Sequence, residues 1–147
     1  MRVLFLDDHP RRTDAFRQVF PDTTWVRTVE ECIERLSEEW DVIQLDHDLG
    51  GEILVDSSRK DCGTEVVRHI VRDQPQHLRS ALFKVHTYNE DAAQSMVEEL
   101  NAAGYKCEYQ PLLQDLQGLC RHNERARRSQ LDDIAFGRVV ATDYCYV

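Results

Sequence analysis

The sequence predicts an α/β domain in which strands and helices alternate, so that a doubly wound parallel sheet is covered by helices on both faces. Two short runs, Arg2–Leu6 and Val42–Leu45, are almost wholly apolar, as is typical of strands buried on both faces. Each run ends abruptly in acidic residues. The stretches between the predicted strands carry the apolar spacing of amphipathic helices. A length of 147 residues suits one domain with a real core.

The first half of the chain predicts two strand–helix units ahead of the central strand. A helix is expected to start at Pro10 after the first strand, because proline suits the first helical turn. A short second strand spans 23–26. Thr28 and Glu31 then form a capping box for a second helix. One apolar face of that helix comprises Val29, Cys32, Ile33, Leu36 and Trp40.

The second half continues the alternation. A polar segment at 50–63 follows the central strand, and loops of this length beside a site are often functional. Thr64 opens a helix that ends near residues 73–75, a strand follows at 81–85, and Asn89 caps the next helix. The fifth strand lies at 106–109. We assign residues 1–120 to the α/β domain, including a helix at 112–120, and 121–147 to a C-terminal extension that packs on it and ends in a strand at 138–147.

Composition excludes several classes of protein. The 27 acidic and 18 basic residues leave a formal charge of -9, which argues against bulk binding of DNA or of an anionic membrane. Five cysteines without Cys-x-x-Cys spacing indicate neither a disulfide framework nor a zinc ribbon. No signal peptide or apolar stretch of about 18 residues occurs, so we expect a cytoplasmic protein that has no membrane partner. The basic stretch at 121–128 is either a phosphate contact or a solvated helical face.

Acidic side chains gather where the first and third strands end. Ligands of open α/β sheets bind outside the carboxyl ends of strands, and Gly50 and Gly51 let the chain turn away there. Converging carboxylates repel unless a cation lies among them, and oxygen ligands favour magnesium, manganese or calcium. Softer ions remain open if histidines join, as does a solvated loop without metal. The predicted ligands of Mg²⁺ or Mn²⁺ are Asp7, Asp8, Asp46 and Asp48.

Two histidines flank the same edge. His47 follows the third strand and His86 the fourth. Imidazole titrates near neutrality, so both are candidates for general acid and base, and each could equally be a structural hydrogen-bonding residue. Thr87 and Asn89 begin the following helix, where free N–H groups favour a phosphate.

These residues together resemble the pattern of response-regulator receiver (CheY-like) domains. Asp7 and Asp8 match the acidic pair, Asp46 the phosphoacceptor aspartate, and Thr87 the hydroxyl that contacts the phosphoryl group. The resemblance implies a flavodoxin-like sheet of five parallel strands in the order 2-1-3-4-5. The chain departs at Gln110, which precedes Pro111 where receivers carry a lysine.

The chain is more similar to the cyclic-phosphate-processing receiver domains. Their signatures appear as Asp7–Asp8, Asp46–Gly50 and His86–Asn89. The resemblance implies metal-dependent hydrolysis of a phosphate ester, with a cyclic phosphate of a nucleotide or an RNA end as the substrate, by a cyclic phosphodiesterase or phosphatase. The alternative is an atypical receiver or pseudo-receiver that signals to a protein partner, with Asp46 as phosphoacceptor. The implied catalytic residues are Asp46, His47 and His86, and the implied phosphate ligands are Thr87, Asn89 and Arg11, since Pro10 displaces the arginine expected behind the acid pair.

Overall fold

Five parallel strands form one sheet in the order β2-β1-β3-β4-β5, which confirms the predicted flavodoxin-like topology. The computed structural model describes residues 1–112. The strands are β1 (Val3–Leu6), β2 (Thr24–Val26), β3 (Val42–Leu45), β4 (Leu82–Val85) and β5 (Lys106–Tyr109). Leu6 pairs with Leu45, and Leu45 with Val85, so the neighbouring strands β1, β3 and β4 end level with one another.

Four α-helices connect the strands: α1 (Pro10–Val19), α2 (Val29–Arg35), α3 (Gly63–Asp73) and α4 (Glu90–Ala102), with a 3₁₀ turn at Gln76–Leu78. Thr28 and Asn89 cap α2 and α4 through their side chains, as predicted. The α2 helix ends at Arg35, so Trp40 lies beyond it and donates its indole N–H to the Arg35 carbonyl. The α3 helix begins one residue before the expected Thr64.

Each face of the sheet has its own apolar core. Side chains of β1, β3 and β4 alternate between the two faces, and every residue of β1 and β3 is buried. The face that α1 covers includes Phe5, Phe16 and Val42, and the opposite face packs against α2, α3 and α4. Full burial of one such side chain contributes about 1.5–3 kcal/mol, so these cores hold the strand ends in a stable register.

The N-terminus of α3 lies directly against the end of β3. Gly63 donates its N–H to the His47 carbonyl at 2.9 Å, and a Cβ at Gly63 would lie 1.9 Å from the Asp46 carbonyl oxygen. Only a glycine allows this approach, which brings the 50–62 loop back over the sheet edge. Among residues 1–112, no helix is long and apolar enough to cross a membrane.

Several predictions concern residues outside the described part. These are the helix at 112–120, of which only Leu112 is described, the basic stretch at 121–128, the strand at 138–147 and the boundary between domain and extension.

Candidate functional site

Three buried polar side chains meet at the carboxyl edge of the sheet. Asp7, Asp46 and His86 directly follow β1, β3 and β4, which are neighbours in the sheet. Because the strands end level, the next residue of each projects to the same face. One ligand atom from each residue lies within 4.8 Å of the other two, and their exposed fractions are 0%, 3% and 1%. We call these residues the acid–histidine centre.

The imidazole of His86 is held on two sides. Its Nε2 lies 3.1 Å from Asp7 Oδ2, and its ring stacks on Phe5 with centroids 5.0 Å apart. With the proton on Nε2, His86 donates to Asp7, and Nδ1 is then an acceptor. That Nδ1 atom is buried and has no hydrogen-bond partner. An unpaired buried acceptor is costly, so it marks a position where a ligand or a proton donor would be favourable.

Arg12 forms ion pairs with both carboxylates. Its Nη2 atom lies 2.8 Å from Asp7 Oδ1 and 2.9 Å from Asp46 Oδ2, and 3.8 Å from Asp8 Oδ1. The side chain is 22% exposed, so part of it is still accessible to solvent. Arg12 therefore occupies the position of positive charge that the converging acids require.

The structure brings Arg12, and not Arg11, into the centre. Arg11 is exposed, although the resemblance assigns the phosphate contact to it. Arg12 precedes the buried residues Phe16 and Val19 by four and seven positions, so it lies on the buried stripe of α1. The helical phase was the signal that could have selected it.

The two acids of the centre differ in their titration. Burial raises the pKa of Asp7, but the hydrogen bond and charge of His86, together with Arg12, bring it below its usual value. At Asp46 burial dominates, and with the charge of Asp7 it raises the pKa even though His86 and Arg12 oppose it. His86 and Arg12 thus outweigh the effect of burial at Asp7 but not at Asp46.

His47 belongs to a second cluster. Its ring nitrogens have partners other than the residues of the acid–histidine centre. Its Nδ1 lies 2.8 Å from Asp48 Oδ1, and its Nε2 lies 3.2 Å from Ser57 Oγ. The Asn89 amide N–H donates to Asp48 Oδ1 at 3.3 Å. The two predicted proton-transfer histidines therefore sit in separate hydrogen-bonded groups at one sheet edge.

Asp48 and Asp8 hold the 50–62 loop and lie outside the acid–histidine centre, although both were predicted as metal ligands. The Asp48 carboxylate accepts the backbone N–H groups of Leu54 and Val55 at 2.8 and 3.0 Å. Asp8 Oδ2 accepts that of Gly51 at 2.6 Å. Burial raises the pKa of Asp48, but its hydrogen bonds together lower the pKa by more, so the net shift is downward.

Thr87 and Asn89 organise the start of α4 beside His86. Thr87 is buried, and its Oγ1 accepts the Asn89 N–H at 3.2 Å. Asn89 Oδ1 accepts the N–H of Ala92 at 3.2 Å. Both predicted phosphate ligands thus lie at the same sheet edge as the acid–histidine centre.

A buried lysine in β4 was not among the site residues predicted from the sequence. Lys84 is fully buried in β4 and pairs with Glu108 of β5. Its Nζ also lies 3.4 Å from Gln110 Oε1. A lone lysine within an apolar strand was the available signal. The Lys84 ammonium therefore contacts Gln110, the residue at the position where response-regulator receivers carry a lysine.

Solved structures share this fold at low sequence identity. The Mn²⁺-bound response regulator Rcp1 is 17% identical with a TM-score of 0.57, over 87% of this chain and 89% of that one. DrrB of Thermotoga maritima is 16% identical with a TM-score of 0.52, over 93% and 53%. A signal receiver domain of an HD domain-containing protein from Pseudomonas fluorescens Pf-5 is 15% identical with a TM-score of 0.52, over 90% and 95%. No curated protein matches the chain.

The sequence itself decides the family. The profile described as cyclic-phosphate processing receiver domain matches residues 2–102, a range that contains the acid–histidine centre, Arg12 and the cluster around His47. The chain therefore belongs to the cyclic-phosphate processing receiver domain family.

Proposed function

We propose that this protein hydrolyses a cyclic phosphate ester of a nucleotide or an RNA end, in a reaction that depends on a divalent cation. The observation that carries the proposal is the burial of Asp7, Asp46 and His86 with ligand atoms within 4.8 Å of one another. A centre with this charge and this unpaired imidazole nitrogen serves no evident purpose in packing the core.

The side chains fit a magnesium or manganese ion. Two carboxylates offer the hard oxygen ligands that suit both Mg²⁺ and Mn²⁺. Asp7 and Asp46 would hold the ion, with Asp8 next to them, and His86 stays unbound so that its Nδ1 atom can accept a proton. A bound ion supplies a Lewis acid that polarises a phosphoryl oxygen or activates water.

Arg12 is the residue that binds the phosphate in this proposal. It pairs with Asp7 and Asp46, so its guanidinium becomes free only when those carboxylates are neutralised otherwise. A guanidinium binds phosphate oxygens in a bidentate manner. Thr87 and Asn89, at the start of α4, offer further donors. Charge neutralisation at the acids and phosphate capture by Arg12 are thereby linked.

The reaction requires water to attack phosphorus while one P–O bond of the cyclic ester breaks, which yields a phosphate monoester. One proton leaves the water and one reaches the departing oxygen. His86 has an acceptor, Nδ1, that is not occupied by the protein. His47, which contacts the partly exposed Ser57, is the second proton carrier. Such a group typically contributes about a hundredfold to ten-thousandfold in rate.

Phosphorus NMR tests this function directly. The protein is incubated with adenosine 2′,3′-cyclic phosphate and MgCl₂ or MnCl₂, and the signals of cyclic ester and monoester are followed. We expect turnover that chelation abolishes and Asp46→Asn removes, whereas Asp14→Asn, at an exposed position of α1, retains it. Absence of any metal-dependent turnover of cyclic phosphates would refute the proposal.

The second candidate function is phosphoacceptance at Asp46 in a signalling module with a protein partner. Lys84 favours it, because an ammonium reaches Gln110 at the position of the receiver lysine. We expect weak phosphorylation, since that ammonium is already paired with Glu108. Acetyl phosphate with MgCl₂, followed by mass spectrometry, decides between the two. A stable acyl phosphate on Asp46 that Lys84→Met abolishes would place signalling first.

A further inference from the structure

Lys84 is a buried cation without a role in the proposed reaction. The residue is 0% exposed, and a buried ammonium is stable only where acceptors surround it. Its Nζ pairs with Glu108 and lies 3.4 Å from Gln110 Oε1. An ammonium has three N–H donors, so these contacts, which are the ones it makes among residues 1–112, leave one donor unused.

The charge of Lys84 lies towards the carboxyl edge of the sheet. Lys84 and Glu108 are register partners in β4 and β5. Gln110 donates its backbone N–H to the Val85 carbonyl at 2.8 Å, so Gln110 is level with His86 at the end of β4. Because the ammonium contacts both Glu108 and Gln110, the lysine side chain extends towards the strand end with its charge on the β5 side.

The β3 side of Lys84 offers an acceptor that is not in use. Gln44 is the register partner of Lys84 in β3, so the two side chains project from the same face of the sheet. Gln44 is 1% exposed, and its Oε1 atom is buried without a hydrogen-bond partner among residues 1–112. Such an atom is costly unless a donor reaches it. Asp46 of the acid–histidine centre follows Gln44 by two positions and lies nearer the edge.

The pair between Lys84 and Glu108 can open at modest cost. The Glu108 side chain is 50% exposed, so its carboxylate returns to water when the ammonium leaves. Ion pairs that are open to solvent contribute little to stability. The ammonium needs new acceptors, because it would otherwise be a buried charge without a partner. Gln44 Oε1 is one such acceptor, and a phosphate oxygen at the centre is another, stronger one because it is charged.

Hydrolysis of a cyclic phosphate creates negative charge that a second cation would stabilise. The cyclic diester carries one negative charge, whereas the monoester formed from it carries about 1.5–2 at neutral pH. Arg12 is already shared between Asp7 and Asp46. A further cation beside Asp46 would therefore favour the monoester over the diester.

We propose that Lys84 is a second phosphate-binding residue, which exchanges Glu108 for a phosphate oxygen when a ligand occupies the acid–histidine centre. Gln44 Oε1 accepts another N–H of the ammonium in that position. This inference rests on the proposed function for the identity of the ligand, a phosphate monoester formed from a cyclic ester. It adds a donor from β4 to the site and makes Glu108 a competitor of the phosphate.

Two variants with opposite expected effects test the exchange. Isothermal titration calorimetry measures the Kd of adenosine 3′-monophosphate in the presence of MgCl₂. We expect Lys84→Met to weaken binding about tenfold. Glu108→Gln should strengthen binding about threefold, because the ammonium is then no longer held by a carboxylate. Lys106→Met removes an exposed lysine of β5 and leaves the Kd at its wild-type value.

An unchanged or weakened affinity in Glu108→Gln overturns the inference, as does an equal loss in the two lysine variants. Glu108→Gln alters a half-exposed side chain, so it decides the question alone if Lys84→Met does not fold. A lysine that only stabilised the fold would not give opposite changes of Kd in Lys84→Met and Glu108→Gln.

NMR of the lysine side chains separates the exchange from the reaction. The chain has three lysines, Lys60, Lys84 and Lys106, so their Cε signals can be assigned by substitution. We expect adenosine 3′-monophosphate with MgCl₂ to shift the Lys84 signal, whereas the Lys106 signal stays. That result supports the exchange even if no cyclic phosphate is hydrolysed. If cyclic phosphates are hydrolysed but the Lys84 signal does not shift, the exchange is refuted and the proposed function stands.

Discussion

Replacement of Arg12 by methionine removes the guanidinium from the acid–histidine centre but retains most of the apolar stem. The wild-type side chain contacts two carboxylates at 2.8 and 2.9 Å, and these are 0% and 4% exposed. Loss of one partner of a buried ion pair typically costs about 3–5 kcal/mol. Because Arg12 is 22% exposed, we expect the lower end, about 3 kcal/mol. For a domain of this size that corresponds to a fall of roughly 10 °C in Tm.

A divalent ion should reverse much of this loss. An ion at a hundred times its Kd stabilises a folded protein by about 2.7 kcal/mol. In the wild-type protein the ion must displace Arg12 from Asp7 and Asp46, which reduces the net stabilisation. In Arg12→Met no guanidinium competes with the ion for these carboxylates. MgCl₂ should therefore raise the Tm of Arg12→Met by more than it raises that of the wild type.

Thermal unfolding followed by circular dichroism, with and without MgCl₂, measures both effects. Arg11→Met is the matched control, because it makes the same change at the adjacent exposed position, and its Tm should stay close to the wild-type value. The reasoning is refuted if both variants lose equal stability. It is refuted equally if MgCl₂ stabilises the wild type and Arg12→Met by the same amount.

Three further predictions concern the surroundings of the centre. His86→Ala should slow turnover of a cyclic phosphate by about a hundredfold or more, and normal rates in a folded variant would make the histidine structural. Gly63→Ala should destabilise the protein by about 1–3 kcal/mol or more in urea unfolding, since its Cβ would meet the Asp46 carbonyl. The folded-state pKa of Asp48 is lowered, so its stabilisation is present above the unfolded pKa of about 3.9 and is lost as the pH falls through the folded value. Hydrogen exchange should therefore show a protected Leu54 amide at neutral pH, with protection lost in Asp48→Asn.

The order of strands and the location of the site could be predicted because both depend on where apolar runs end. Leu6 and Leu45 are each followed by an aspartate, and parallel strands bring such residues to one edge. Burial on both faces made the assignments of β1 and β3 clear, since almost wholly apolar runs of this length are typical of strands in parallel sheets.

Side-chain direction was the part that sequence could not supply fully. Asp46 and Asp48 are two residues apart, but the chain has left the strand by Asp48, so alternation no longer applies and its carboxylate turns to the loop. Whether Arg11 or Arg12 faces the centre depends on how α1 is rotated about its axis, and this helix begins at Pro10 directly before them. The ion pair of Lys84 could not be predicted, because its partner Glu108 on β5 is set by a strand register that only the structure defines.

The most direct test of the central claim places metal and phosphate in one site. Mn²⁺ is paramagnetic, so it broadens the phosphorus NMR signal of a ligand bound beside it, and the broadening falls steeply as the distance between ion and phosphorus increases. With adenosine 2′,3′-cyclic phosphate and Mn²⁺, we predict strong broadening with the wild-type protein, and none beyond the protein-free level with Asp46→Asn. Equal broadening with both proteins would show that metal and phosphate meet elsewhere, and the acid–histidine centre would lose its assigned role.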